Sequence, residues 1–71
     1  IMKVGDLIAT RHKWLLVENE TRPLGFIIKI EENYYRHNDY TQHRLTILWL
    51  DGGTSVEPSL YVEVISTAEE N

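Results

Sequence analysis

The chain has 71 residues, 42% of them hydrophobic and 25% charged, with four Gly, two Pro and no Cys. It therefore encodes one small globular domain whose core is held neither by disulfides nor by thiolate–metal bonds. A chain this short buries only about 60% of the surface it exposes when unfolded, which allows one thin core and excludes a deep pocket on a separate scaffold. No apolar run is longer than four residues, as in Trp14-Leu15-Leu16-Val17, too short for a membrane span or for the apolar region of a signal peptide, so no membrane partner is expected.

The formal charge of −4 conceals an asymmetry. Residues 1–44 carry all seven Lys and Arg against six acids, whereas residues 45–71 carry five acids and no Lys or Arg. Overall acidity argues against nucleic-acid binding, because neutralisation of phosphates supplies most of that affinity. Two basic clusters, Arg11-His12-Lys13 and Arg36-His37 with His43-Arg44, read as solvated loop charges.

In chain order, Met2 reads as the natural start, and Lys3-Val4-Gly5-Asp6 as a turn leading into a strand from Leu7 to Thr10. Residues 11–24 read as a long folded-back loop carrying a short strand. Residues 14–17 are apolar, and Thr21-Arg22-Pro23-Leu24-Gly25 has turn chemistry. Phe26, Ile28 and Ile30 then alternate with Ile27, Lys29 and Glu31, and further on Leu45, Ile47 and Trp49 alternate with Thr46, Leu48 and Leu50. This is the period of two expected of strands with one buried side. With Asn38-Asp39 as a two-residue turn, Ile30 faces Ile47 and Ile28 faces Trp49, while Lys29 faces Leu48 and Glu31 faces Thr46. Asp51-Gly52-Gly53 makes a second tight hairpin, centred on either Asp51-Gly52 or Gly52-Gly53. Either register places Val56 on the side of Trp49. Pro58 ends that strand, Ser59-Leu60-Tyr61 makes a single 3₁₀ turn, and Leu60, Val62 and Val64 alternate with Tyr61, Glu63 and Ile65 in a last strand. The expected fold is all-β, a closed barrel of five short strands over residues 1–65, followed by a flexible tail at 66–71.

The order of these elements, together with Lys3-Val4-Gly5-Asp6-Leu7, Gly25-Phe26-Ile27-Ile28, Leu48-Trp49-Leu50-Asp51-Gly52 and Leu60-Tyr61-Val62-Glu63-Val64-Ile65, resembles the SH3-like small barrels. More narrowly, the chain is similar to short uncharacterised barrel proteins encoded by tailed bacteriophages, marine ones especially. The resemblance implies a five-stranded barrel with a one-turn 3₁₀ helix before the last strand, located in the cytoplasm of a host cell or in a virion. Peptide-binding SH3 domains carry an Ala-Leu-Tyr-Asp-Tyr-type motif at the first strand. Here Leu7-Ile8-Ala9-Thr10 is followed by basic residues, which argues against binding of proline-rich peptides. Function does not follow from fold alone.

No nucleophile triad, phosphate-cradling glycine loop or zinc-protease motif is present, so the chain reads as a non-enzyme. His12, His37 and His43, with Asp39, lack the fixed three- or four-ligand set that zinc requires; no metal and no cofactor is expected. Glu31-Glu32 and Glu69-Glu70 are adjacent in sequence and point to opposite sides of an extended chain, so neither is an acid–base pair.

Trp49 reads as core and Tyr61 as a rim residue. Trp14, Tyr34, Tyr35 and Tyr40 lie in or beside the two longest loops, bordered by Arg11, Lys13, Arg36 and Arg44. Such a group serves as a stacking platform for single strands or as a protein-contact patch, or it packs the loops down as a second small core; the three readings stay open. On the outward face, Ile27 lies near Leu48 and Leu50, an interface if residues 14–17 leave them bare. The resulting expectation is a non-enzymatic module for protein–protein interaction or assembly, with an unidentified protein or a second copy as partner. The alternative is a single-stranded nucleic-acid-binding barrel using Trp14, Tyr34, Tyr35, Tyr40, Arg36 and Arg44.

Overall fold

Gly5 lets the chain turn into its first strand. Its φ of +96° suits the third position of a type II turn, and the turn closes with Asp6 N–H donating to the Lys3 carbonyl at 3.1 Å. The computed structural model describes residues 2–11, 22–37 and 40–69, with side chains for all of these except 33–37, 40 and 41. Five strands follow the turn: β1 Leu7–Thr10, β2 Leu24–His37, β3 Tyr40–Trp49, β4 Thr54–Pro58 and β5 Val62–Ser66. They form one antiparallel sheet in the order β4-β3-β2-β1-β5, and a 3₁₀ turn, Ser59–Tyr61, precedes β5. The expected all-β, five-stranded architecture and the 3₁₀ turn are therefore present. No helix among the described residues is long and apolar enough to cross a membrane. Of the folded-back loop with a short strand expected over residues 11–24, residues 12–21 lie outside the described part of the chain, and Leu24 already belongs to β2.

The core is thin, as the length requires. Ile8, Ile27, Leu45, Ile47 and Val62 are fully buried, with Met2, Ile30, Trp49 and Val64 packed against them. β3 supplies Leu45, Ile47 and Trp49 at the expected period of two. β2 does not keep that period, since its inward residues are Ile27 and Ile30, three apart. The cause is the register. At the hairpin end, His37 pairs with Tyr40, Arg36 with Thr41 and Tyr35 with Gln42, the register expected from the sequence there, while Asn38 and Asp39, where the turn was expected, lie outside the described residues. The ladder then shifts twice, between Glu31 and Tyr35 and again between Ile27 and Lys29. The second shift leaves Ile28 as an extra residue, a β-bulge that reverses the faces of everything before it. The expected pairs Ile30–Ile47, Ile28–Trp49, Lys29–Leu48 and Glu31–Thr46 are thus corrected to Ile30–Leu45, Gly25–Trp49, Lys29–Thr46 and Glu31–Arg44. Phe26 and Ile28 point outward, and Ile27 is core.

The β3–β4 connection is corrected in the same way. Trp49 N–H donates to the Gly53 carbonyl at 2.8 Å and Gly52 N–H to the Trp49 carbonyl at 2.9 Å, so three residues, 50–52, form the loop. Gly52, at φ +99°, holds the left-handed position that ends such a turn. An odd loop puts Val56 opposite Thr46, on the side away from Trp49.

Pro58 ends β4, as its missing donor predicts. The 3₁₀ turn is fastened onto β3 by His43 N–H donating to Ser59 Oγ and by Leu60 N–H donating to Gln42 Oε1, each at 3.1 Å. Arg11 holds it from β1, its backbone N–H on the Tyr61 carbonyl and its Nε on the Leu60 carbonyl, both at 2.9 Å. The tail expected to be flexible from residue 66 is tied further along. β5 includes Ser66, and Ala68 N–H donates to Asp6 Oδ1 at 2.8 Å.

Candidate functional site

Cross-strand partners share a face, and the register therefore defines an outer surface on β2, β3 and β4. Phe26 lies directly across from Leu48, Leu48 from Thr54, Lys29 from Thr46, and Thr46 from Val56. Phe26, Ile28, Leu48 and Val56 are 39–47% exposed. They make one continuous apolar strip on a sheet whose opposite face is the core. Of the three residues expected at this interface, Leu48 is exposed there, Leu50 is 61% exposed but follows β3 and lines the cleft at Trp49, and Ile27 is buried in the core because the bulge at Ile28 turns it inward. Phe26 takes the place that Ile27 was expected to fill. The strip ends at a small charged group, in which Lys29 Nζ lies 3.6 Å and Arg44 Nε 3.9 Å from Glu31 Oε1.

Of the aromatic and basic residues singled out above, Tyr34, Tyr35, Arg36, Tyr40 and Arg44 lie along the β2–β3 ribbon rather than in a loop. Tyr34, Tyr35 and Arg36 belong to β2 beyond Glu31, and Tyr40 and Arg44 to β3. The side chains of Tyr34, Tyr35, Arg36 and Tyr40, and the whole of Trp14, lie outside the described residues. Arg44 is half-buried and faces Glu31. Tyr61 sits in the 3₁₀ turn, 38% exposed.

On the inner side of the sheet, Trp49 floors a cleft of about 630 Å³, walled by Arg22, Leu24, Ser55 and Glu57 with Asp51 beside it. A second hollow of about 300 Å³ adjoins it, sharing Thr10, Trp49 and Glu57 and reaching Tyr61 and Val62. The indole is held at two points. Its Nε1–H donates to Ser55 Oγ at 2.8 Å, and its six-membered ring lies over Gly25, where a Cβ would come within 3.0 Å of Cε3. Only glycine permits this approach, since the same Cβ would meet Ile47 Cγ2 at 2.7 Å and the Leu48 carbonyl at 2.9 Å. Sequence reasoning missed this cleft because Ser55 and Glu57 face inward only when the hairpin loop has three residues.

Asp6 is fully buried at the opposite end of β1. Burial alone would raise its pKa, but N–H groups of Ala68 and Lys3 bond its two oxygens, and with the Lys3 charge they hold it below the ordinary aspartate value. It acts as a structural clamp between the first turn and the segment after β5. Among the described residues no three His, Asp or Glu gather in a way that could hold a metal ion. Comparison with protein-family models, curated proteins and solved structures finds no match.

Proposed function

We propose that this chain is an SH3-like small barrel that acts as a non-enzymatic module for protein–protein interaction and assembly, of the kind tailed bacteriophages encode. The strand order β4-β3-β2-β1-β5, with one 3₁₀ turn before β5, supports the fold assignment. The observation that carries the functional reading is the exposed cross-strand pair Phe26–Leu48, extended by Ile28 and Val56. A strip of this kind on a monomeric surface marks a contact site, because covering it removes apolar area from water at about 25 cal/mol per Å². A second copy of the chain suits it, since its rim carries both signs of charge in Lys29, Glu31 and Arg44.

Sedimentation velocity from micromolar to near-millimolar concentration tests this, with Leu48→Lys as the control. Self-association that weakens in the variant and changes little with salt is the expected result. A chain that stays monomeric throughout, with Leu48→Lys equally stable and equally monomeric, contradicts it. The alternative ligand, a single-stranded nucleic acid, is read by fluorescence anisotropy in the same samples, where genuine binding falls steeply with salt.

A further inference from the structure

We infer that Asp51-Gly52 is a site of spontaneous covalent modification, at which the folded chain converts aspartate to isoaspartate and so rebuilds the loop that joins β3 to β4. The Gly52 amide nitrogen attacks the side-chain carboxyl carbon of Asp51. The carboxyl hydroxyl leaves with the amide proton as water, and a cyclic imide forms. Water then adds back at either imide carbonyl. Addition at the side-chain carbonyl restores aspartate, whereas addition at the main-chain carbonyl leaves the backbone running through the Asp51 side chain, longer by one methylene. Each step is balanced by water alone.

Three observations carry the assignment. The first is the neighbour. A side chain on the residue that supplies the nitrogen obstructs the attack, and Asp6 precedes Leu7 and Asp39 precedes Tyr40, whereas Asp51 precedes glycine; no Asn precedes glycine either. The second is access. Asp51, Gly52 and Gly53 are all exposed, and no atom lies within 4 Å of the place where a Cβ on Gly52 would stand, so water reaches the group and nothing blocks its movement. Asp6, by contrast, is fully buried. The third is geometry. Gly53 N–H donates to Asp51 Oδ1 at 2.9 Å, which folds the carboxyl back along the chain that follows it, with the Gly52 nitrogen between the two residues so joined. The restraint on that nitrogen is a turn bond, from Gly52 N–H to the Trp49 carbonyl at 2.9 Å. A bond at an exposed loop opens locally, without unfolding of the sheet. The added methylene falls between Trp49 and Gly53, whose 2.8 Å hydrogen bond closes the loop, and the next pair along the hairpin is Leu48 with Thr54 on the outer face. The product is therefore a chain with this end of the hairpin loosened.

The test ages the purified chain at neutral pH and physiological temperature. Isoaspartate is then read by transfer of a labelled methyl group from S-adenosylmethionine with an isoaspartyl methyltransferase, and located by peptide mapping. The expected result is methyl incorporation that rises with time and maps to Asp51, with none at Asp6 or Asp39. Asp51→Glu should abolish it, because the longer side chain closes the larger ring far less readily, and the exposed position lets that variant fold normally. Ile27→Ala separates local from global opening. It destabilises the whole domain, so a reaction that waits for unfolding would speed up about a hundredfold, whereas one that needs only the loop to open should keep its rate. No incorporation in the aged chain, undiminished incorporation in Asp51→Glu, or that acceleration in Ile27→Ala would each overturn the assignment. None of these outcomes bears on the Phe26–Leu48 strip, whose test reads association.

Discussion

Glycine and aspartate carry more of this structure than their size suggests. Gly25 sits under the Trp49 ring with no space for a methyl group, and two of the three obstacles are the core side chain Ile47 and the backbone carbonyl of Leu48, neither of which can swing away. Gly25→Ala should therefore destabilise the fold by about 1–3 kcal/mol, the usual cost of overpacking. Gly53→Ala should have little effect, because its Cβ would lie 3.4 Å from the side chain of exposed Asp51. Urea denaturation of the two variants measures the contrast. Asp6 makes a pH prediction. Its folded-state pKa lies below its unfolded one, so its contribution is fully present above the ordinary aspartate range and is lost as pH falls through the folded-state value. Asp6→Ala should cost about 2 kcal/mol at neutral pH by leaving the Lys3 and Ala68 N–H groups without their acceptor. The difference between variant and native protein should shrink in acid, and a constant difference from neutral to acid pH would show that the carboxylate charge is not what holds the tail.

At the scale of elements, the bulge at Ile28 decides which side of β2 is core. Ile27→Ala should cost about 3 kcal/mol as a buried truncation, and Ile28→Ala less than about 1 kcal/mol. Chemical denaturation giving the reverse order would mean that the ladder runs without its shift. This is also where sequence and structure part. The strands, the His37–Tyr40 register at the hairpin end, the stop at Pro58 and the 3₁₀ turn were legible because each rests on local chemistry: alternation, turn-forming side chains, a missing donor. The bulge was not, because Phe26-Ile27-Ile28 is apolar throughout and any phase of alternation fits it. The phase is chosen by long-range packing, where Ile27 meets Ile47 and Gly25 admits Trp49. The three-residue loop was in principle readable from Asp51-Gly52, since glycine at the last loop position is its signature. Taking it as two residues moved Val56, Ser55 and Glu57 to the wrong faces, which hid both the full outer strip and the inner cleft.

At the scale of the whole molecule, a thin core and a long strand ribbon leave more apolar side chain outside than inside. Among the described residues six apolar side chains are buried, Ile8, Ala9, Ile27, Leu45, Ile47 and Val62, whereas nine large apolar ones are exposed, Phe26, Ile28, Leu48 and Val56 on the outer face among them. A domain with so little interior gains stability by association, because each copy then shares buried area that its own length cannot provide. Leu48→Lys should accordingly leave the monomer folded while lowering the midpoint of thermal unfolding at high concentration more than at low concentration, an effect that differential scanning calorimetry resolves. The most direct measurement of the assembly claim is a dilution series of the native chain followed residue by residue in its amide NMR spectrum. The account predicts concentration-dependent shifts confined to Phe26, Ile28, Leu48, Val56 and their cross-strand neighbours. Shifts centred elsewhere, or a spectrum unchanged by concentration, would contradict it.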